Sequence, residues 1–577
     1  MAWDYYLKNK IIFQERGLSM SQNNPVRERS FAGIEQLSLR SIILGMIGSA
    51  IITASSMYVA LRLSALPWPT IFVAVLSMAL LKVLGKTTHN EINITQTSMS
   101  SGAMVAGGLA FTLPGLWITG VWSGQAFTPV RFWQVLAITI CGVLLGSVLT
   151  WFLRRRFVEK DPLPYPIGIA AADTIVVGDA GNRKSALLFI SMGVSAIFTF
   201  FRDHLAWIPS ALSSAWLYAR NFRIGLWVSP MAVSIGYMIG TLYTGVWFLG
   251  AVLAYVLIIP CGPALGLFSS VDAAVSFKDT AGIGLMVGTG IGTLLSFVIG
   301  SIKKRIGSHD RADIGRDETA SGNSSASSHK KERFWTAIAV AISFVLSIVC
   351  RLGVLPSILM MIGVLAASAM SAIITGQTGI NPMEIFAIIV LLAVRIFVNV
   401  DAVGSFFIAA AVAVACGYAG DMLNDYKTGA MLKTNPKAQL ISQIIGGVVG
   451  AVIATLALFA VIGQFGGVGP GHELPAGQAF AVSQMVKGIG NPVVFWVALG
   501  IGVLLNLLKV PSMTLGIGMY LPFEISSIVF LGGLLRLFAE RFFPKTVNSG
   551  NIVASGMLGG EGITGVTIAI IKMIAGA

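Results

Sequence analysis

The 577 residues would suffice for roughly three or four soluble domains, but the composition excludes them. Hydrophobic residues make up 55% of the chain and charged residues 11%, with a mean hydropathy of +0.81, whereas a soluble domain carries about 25% charge. The net charge of +14 does not indicate nucleic acid, because Lys and Arg sit at the ends of apolar blocks (Arg154, Arg155, Arg156; Lys303, Lys304, Arg305). That is the distribution of positive-inside topology and not of a binding stripe.

Met1 to Arg40 is too long and too mixed in charge for a signal peptide, and is expected to be a cytoplasmic tail. Apolar blocks follow at 41–63, 66–84, 132–153, 242–260, 334–350 and 438–463. Their length matches a hydrocarbon core of about 30 Å at 1.5 Å per helical residue, and the alternating segments of about 10 residues that mark a β-barrel are absent. The fold class is an all-α polytopic membrane protein, with about fourteen to sixteen transmembrane helices, some re-entrant or broken, in two internally duplicated halves.

The duplication is read from spacing. Gly85, Thr87 and Asn90 recur as Gly376, Thr378 and Asn381; Pro230, Ser234 and Gly240 as Pro522, Ser526 and Gly532; Gly284, Gly288 and Gly290 as Gly556, Gly560 and Gly562. Residues 307–333, charged and rich in Ser and Gly, cannot bury enough apolar surface to offset their ordering entropy and predict a flexible cytoplasmic linker. It separates a first membrane half (41–306) from a second (334–577). With both the tail and the linker cytoplasmic, the halves would be parallel repeats.

An ionisable side chain in hydrocarbon costs about 2.5–3.5 kcal/mol, so each one needs a reason. Glu91, Thr95 and Gln96 open a polar stretch at 88–108, either a functional face that Glu91 and Thr95 share or a polar helix N-terminus at the interface where Glu91 suits the dipole. In 161–179, three prolines in six residues forbid a regular helix before Ile167 and predict a re-entrant segment carrying Asp173, or a cytoplasmic connector. Asp421 and Asp425 lie four apart beside Tyr426 and Lys427. They fit a proton carrier, a cation site, or ordinary salt bridges, one of them to Lys427. Glu524 follows Pro522 in an apolar run, either facing the interior or at the interface. Glu561 lies between Gly560 and Gly562 as a lone carboxylate in a glycine-lined frame, where Glu561→Gln is expected to fold normally and lose uptake.

Glu91, Asp421, Asp425, Glu524 and Glu561 are therefore the candidate proton-coupling groups. Thr95, Gln96, Asn381, Tyr426, Lys427, Gly560 and Gly562 are the candidate solute contacts. His204, in Arg202-Asp203-His204, reads as an interfacial anchor, and His472 and Glu473 as part of a Gly/Pro loop without metal-ligand spacing. Cys141, Cys261, Cys350 and Cys416 read as buried apolar side chains. No P-loop or nucleophile elbow is present, which argues against a nucleotide-driven pump or an enzyme. No cofactor is expected, and a homo-oligomer is compatible with the sequence.

At these residues the chain resembles the oligopeptide transporter family, including its yellow-stripe-like branch and bacterial members. HNEINITQTSMSSGAMVAGG (89–108) is similar to the family's E-N-x-x-x-Q-T helix, with Ile92 in the place of Asn. LPYPIGIAAADT (163–174) is similar to F-P-x-G-x-A-x-A, with Tyr165 for Phe. GDMLNDYKTGAMLKTNPKAQLISQIIG (420–446) resembles D-x-K-T-G-x-L…S-P-R…S-Q-x-I-G, with Asn435-Pro436-Lys437 for Ser-Pro-Arg, and NIVASGMLGGEGITG (551–565) resembles the closing A-S-G-L-x-x-G-[DE] helix. The resemblance implies a secondary-active, proton-coupled importer in the bacterial inner (plasma) membrane. Its partners would be short peptides, peptide-like solutes or metal–chelator complexes, together with protons and the lipid bilayer. A channel is the reading from another class.

Overall fold

The computed structural model describes residues 30–575, apart from 32, 65, 67–69, 124–126, 179–182, 308–324, 379–380 and 488–490. The N-terminal tail before residue 30 and the linker between 308 and 324 lie outside the described residues, as does the side chain of Asp173. The first half forms α1 (Leu39–Leu63), α2 (Thr70–Val83), α3 (His89–Ala110), α4 (Pro129–Arg154), α5 (Pro166–Gly178), α6 (Arg183–Thr199), α7 (Pro230–Ile239), α8 (Thr241–Val252) and α9 (Val271–Gly307). The second half forms α10 (Ser325–Val349), α11 (Val354–Thr378), α12 (Met383–Phe397), α13 (Ala402–Leu432), α14 (Pro436–Gln464), α15 (Gly477–Lys487), α16 (Pro492–Leu507), α17 (Ser512–Tyr520), α18 (Phe523–Phe542) and α19 (Val547–Ala575). Two antiparallel two-stranded ribbons accompany them, β1 (Ser30–Phe31) with β2 (Ile34–Glu35) and β3 (Ala211–Ser213) with β4 (Gly225–Trp227).

Among the described residues, nine helices are long and apolar enough to cross a membrane, and four shorter apolar helices stand beside them. Several expected spans are thus too short to cross alone, where Pro or Gly stops the helix. The chain enters α7 and α16 at Pro230 and Pro492, which fit the first helical turn because no N–H is needed there. Residues 325–333, assigned to the linker by composition, are the first turns of α10. Glu332 receives a hydrogen bond from the Trp151 indole and pairs with Arg155 at 2.8 Å, so that end of the segment docks on α4.

The sequence halves interlock. α3 and α13 are the central helices, each with 89% of its apolar window buried inside the protein, against 11% for α10 at the lipid rim. α3 packs on α1, α14 and α13, and α13 also packs on α4. The repeated glycine frames meet their neighbours in matching ways. A Cβ on Gly284 or Gly288 of α9 would lie 2.7 Å and 2.2 Å from the carbonyls of Phe495 and Leu499 on α16. A Cβ on Gly556 or Gly560 of α19 would lie 2.5 Å and 2.2 Å from those of Leu188 and Met192 on α6. Each half therefore contributes a closing helix to the other, with backbones in direct contact. All four cysteines are free.

Candidate functional site

α13 carries polar residues through protein otherwise lined with small apolar side chains, and Gly417, Gly420 and Gly429 bring its neighbours close. Asp421 and Asp425 are 4% and 1% exposed and lie roughly 18 Å and 12 Å along the axis from Lys433, the C-cap of α13. Gln96 on α3 donates to Asp425 Oδ1 at 3.1 Å, and Asn381 donates to Asp421 Oδ2 at 2.6 Å. Each carboxylate is thus held through one oxygen by a neutral amide. Asp421 Oδ1 is buried without a hydrogen-bond partner, and so are Gln96 Oε1, Tyr426 Oη and both amide atoms of Gln443, while Ser100 lies beside Asp425 as a further donor. In native interiors such orphans are rare and mark a place for water, ion or ligand.

The frame around this cluster is fully bonded. Asn381 also donates to the Cys416 carbonyl at 3.0 Å and accepts from Ser371 at 2.7 Å. Gln439 on α14 donates to the Asp425 carbonyl at 3.0 Å and to Thr97 at 3.3 Å, and Ser442 to the Ile94 carbonyl at 2.7 Å. The prolines at 162–166 hold an extended segment against α11 and α13. Tyr165, at φ 45°, donates its N–H to the Gly376 carbonyl at 2.8 Å and its hydroxyl to that of Ala372 at 2.9 Å. α5 begins at Pro166, one residue before the earliest start allowed by the proline spacing, and Asn424 caps it through the Gly168 N–H at 3.2 Å. The non-helical backbone at Tyr165 thus has its N–H paired inside the protein.

Of the predicted residues, Asp421, Asp425, Gln96 and Asn381 come together here, with Asn381 serving to position Asp421, whereas Tyr426 packs with Val158, Tyr165, Ala372 and Leu423. The others go elsewhere. Lys427 donates to the Leu163 carbonyl at 3.1 Å, tying down the extended segment. Thr95 turns back onto the Glu91 carbonyl at 2.9 Å, which is a correction: its hydroxyl is spent within its own helix. Glu91 is also corrected. Arg40 grips both of its oxygens, Ser38 and Thr87 add hydrogen bonds, and the carboxylate acts as a buried anchor at the start of α3. Glu524 sits in the first turn of α18 and accepts from the Tyr218 hydroxyl. Burial, and then Glu524 itself, raise the Tyr218 hydroxyl above its ordinary pKa.

Glu561 is the largest correction. It is not a lone carboxylate. Arg202 Nη2 meets Oε1 at 2.8 Å with both side chains 0% exposed, Ser229 donates to the carboxylate at 2.9 Å, and the Met231 N–H donates to Oε2 at 2.8 Å. The charge therefore lies at the N-terminus of α7, where backbone N–H groups favour it. Gly560 and Gly562 are packing positions, because a Cβ would lie 2.2 Å from the Met192 carbonyl and 2.2 Å from Ser55 Oγ. Sequence reasoning missed Arg202, read as part of an anchor. It also missed Glu384, buried in the first turn of α12, and Lys278, buried among Tyr255, Asp279 and the Tyr520 carbonyl. Glu384 is a single charge inside an apolar run, and Arg202 and Lys278 each stand beside an aspartate at the edge of one, which was the available signal.

A helical bundle with a buried polar core and, among the described residues, nine helices long and apolar enough to cross a membrane defines an integral membrane protein. The family described as OPT oligopeptide transporter protein matches residues 36–572, and the chain belongs to it. It is 26% identical over 592 residues, 89% of this chain and 92% of the relative, to the "Putative oligopeptide transporter" of Haemophilus influenzae. It is 30% identical over 168 residues to the "Probable metal-nicotianamine transporter YSL5" of Arabidopsis thaliana, and 30% over 167 residues to YSL14, of the same description, from Oryza sativa. These two matches cover 25% of this chain and 23% of each relative. The protein is a multi-pass integral membrane protein of the plasma membrane.

Proposed function

We propose that the protein is a proton-coupled symporter that imports short oligopeptides or peptide-like solutes. The observation that carries this reading is the pair Asp421 and Asp425. Each is buried on the central helix and held by neutral side chains with no ion pair among the described residues, and Asp421 Oδ1 has no hydrogen-bond partner. A buried carboxylate without a counter-charge is a group that can take up a proton and release it when water or a partner reaches it. Gln96, Gln443 and Tyr426 offer the amide and hydroxyl groups that would receive a peptide's backbone.

Uptake of metal–chelator complexes is the second reading, supported by the partial matches to relatives named as metal-nicotianamine transporters. Both readings use the same carboxylates. The test is uptake of labelled di- to hexapeptides, and in parallel of an iron–nicotianamine complex, into proteoliposomes under an imposed inward pH gradient. Accumulation above equilibrium that collapses with a protonophore is expected. Uptake that never exceeds equilibrium would make the protein a channel or a facilitator.

A further inference from the structure

Arg62 lies in the last turn of α1, about 33 Å along the helix from Arg40, and so at the membrane face opposite Glu91. It is 6% exposed, and three aromatic rings surround its guanidinium: Trp227 at 4.7 Å, Phe465 at 5.4 Å and Tyr58 at 5.9 Å. Its ion pair among the described residues is with Glu473, at 3.2 Å, whose side chain is 67% exposed. A buried cation is thus joined to an anion that stands in solvent. The pairing is also supplied by a loop rich in glycine: Gly466, Gly467, Gly469 and Gly471 all have positive φ, buried Val468 and Leu474 anchor the loop on either side of Glu473, and the Ala476 N–H joins it to the Leu61 carbonyl.

The surroundings hold unused donors. Tyr58 is fully buried, one helical turn before Arg62, and its hydroxyl has no partner; Trp227 is 4% exposed, and its indole N–H has none either. Trp227 also lies 5.8 Å from the Arg202 guanidinium. Arg202 is not available, since it is shared between Glu561 and Asp203 and donates to the Val228 carbonyl at 2.7 Å. It sits in a π-helical turn, Phe200–His204, a deviation frequent at functional sites. That fixed charge cluster, built on the end of α6, holds one side of Trp227 and leaves Arg62 as the cation facing the loop.

We propose that Arg62, with the Tyr58 hydroxyl and the Trp227 indole, forms an outer subsite for a carboxylate of the transported solute, and that Glu473 occupies it when no solute is bound. Guanidinium suits this task, since it can offer two parallel N–H groups to a carboxylate and stack on aromatic faces. An incoming carboxylate exchanges for Glu473 without leaving the buried charge uncompensated, and Glu473 returns to water, where it is well solvated. The proposal rests on the transport reading for the source of the carboxylate, and it commits to the C-terminal carboxylate of a peptide.

The test uses the full-length protein purified in detergent and thermal-shift titration with tri-alanine, its C-terminal amide, and citrate as a non-peptide carboxylate. In the wild type tri-alanine is expected to bind at least tenfold more tightly than its amide. Arg62→Gln should bring the acid down to the level of the amide while the amide is unchanged. Glu473→Gln, on an exposed side chain, should tighten acid binding several-fold, and Arg62→Lys covers the case in which Arg62→Gln does not fold, with acid binding weakened but not lost. An acid-over-amide preference that survives Arg62→Gln, or a Glu473→Gln variant with weaker acid binding, overturns the subsite. Citrate binding that falls in Arg62→Gln and rises in Glu473→Gln, without any peptide binding, keeps the subsite and removes the peptide as its occupant. If neither tri-alanine, its amide nor citrate binds the wild type, the subsite is overturned whatever vesicle uptake shows.

Discussion

Gln96 on α3 and Asp425 on α13 meet at 3.1 Å across the two most deeply buried helices of the bundle. Gln96 gives Asp425 a single N–H and leaves its own Oε1 unpartnered. A fully satisfied amide–carboxylate pair would be a structural strut. This one retains an open acceptor on Gln96.

Asp425→Asn is therefore expected to fold, because the Asn carbonyl can accept the Gln96 N–H in the same geometry. It should lose concentrative uptake under a pH gradient while retaining solute exchange in counterflow, since exchange requires a solute site but no net proton movement. Proteoliposome uptake and counterflow on one preparation measure both. Wild-type accumulation in the Asn variant would remove Asp425 from coupling.

Asn381 holds Asp421, and a Cβ on Gly420 would lie 2.4 Å from Asn381 Nδ2 and 2.6 Å from Ser371 Oγ. Asn381→Ala leaves a buried carboxylate oxygen and the Cys416 carbonyl each without that donor, a loss of about 1–3 kcal/mol. Gly420→Ala should reach the same end by pushing the amide away. The double variant is expected to be no worse than the more severe single one, because both act on one contact. Thermal unfolding of the three variants decides this, and additive losses would show that Gly420 acts elsewhere.

The helical class, the central segment at 417–443 and the kinship between glycine frames were legible because they rest on local pattern: apolar length, i, i+4 spacing, repeated Gly. Partners were not legible. Nothing near Glu561 in sequence announces Arg202, and nothing near Glu91 separates an anchor gripped by Arg40 from a proton carrier. An apolar run shows that a charge needs compensation, but the compensating group arrives from another helix that the local sequence does not point to. Gly560 and Gly562 misled for a related reason: an open backbone position reads the same whether a solute or a neighbouring carbonyl fills it.

Gly447 and Tyr418 give a test of packing in the core. A Cβ on Gly447 would lie 1.8 Å from Tyr418 Oη, and that hydroxyl has no hydrogen-bond partner. Gly447→Ala should destabilise the protein by about 1–3 kcal/mol through overpacking. Adding Tyr418→Phe removes the colliding oxygen and should recover most of the loss, while the contact with Val143 at 2.9 Å keeps the recovery incomplete. Gly560→Ala has no such remedy, since its Cβ meets a backbone carbonyl. The midpoint of thermal unfolding for each variant is the measurement, and equal behaviour at the two glycines would contradict the packing.

Glu561→Gln is expected to reverse what the isolated sequence suggests. In the carboxylate, Oε1 accepts from Arg202 and Ser229, while Oε2 accepts from Ser229 and the Met231 N–H. An amide can supply only one acceptor oxygen. Its NH2 group must then face either the Arg202 guanidinium or the Met231 N–H, placing donor against donor. Arg202 would also retain only Asp203 as a counter-charge. Removing one member of a buried ion pair costs about 3–5 kcal/mol, a large part of the stability of most proteins. The variant should therefore express poorly and unfold at a lower temperature, and any loss of uptake should follow the loss of folded protein. Monodisperse Glu561→Gln protein with a wild-type unfolding temperature and no concentrative uptake would return Glu561 to the coupling groups.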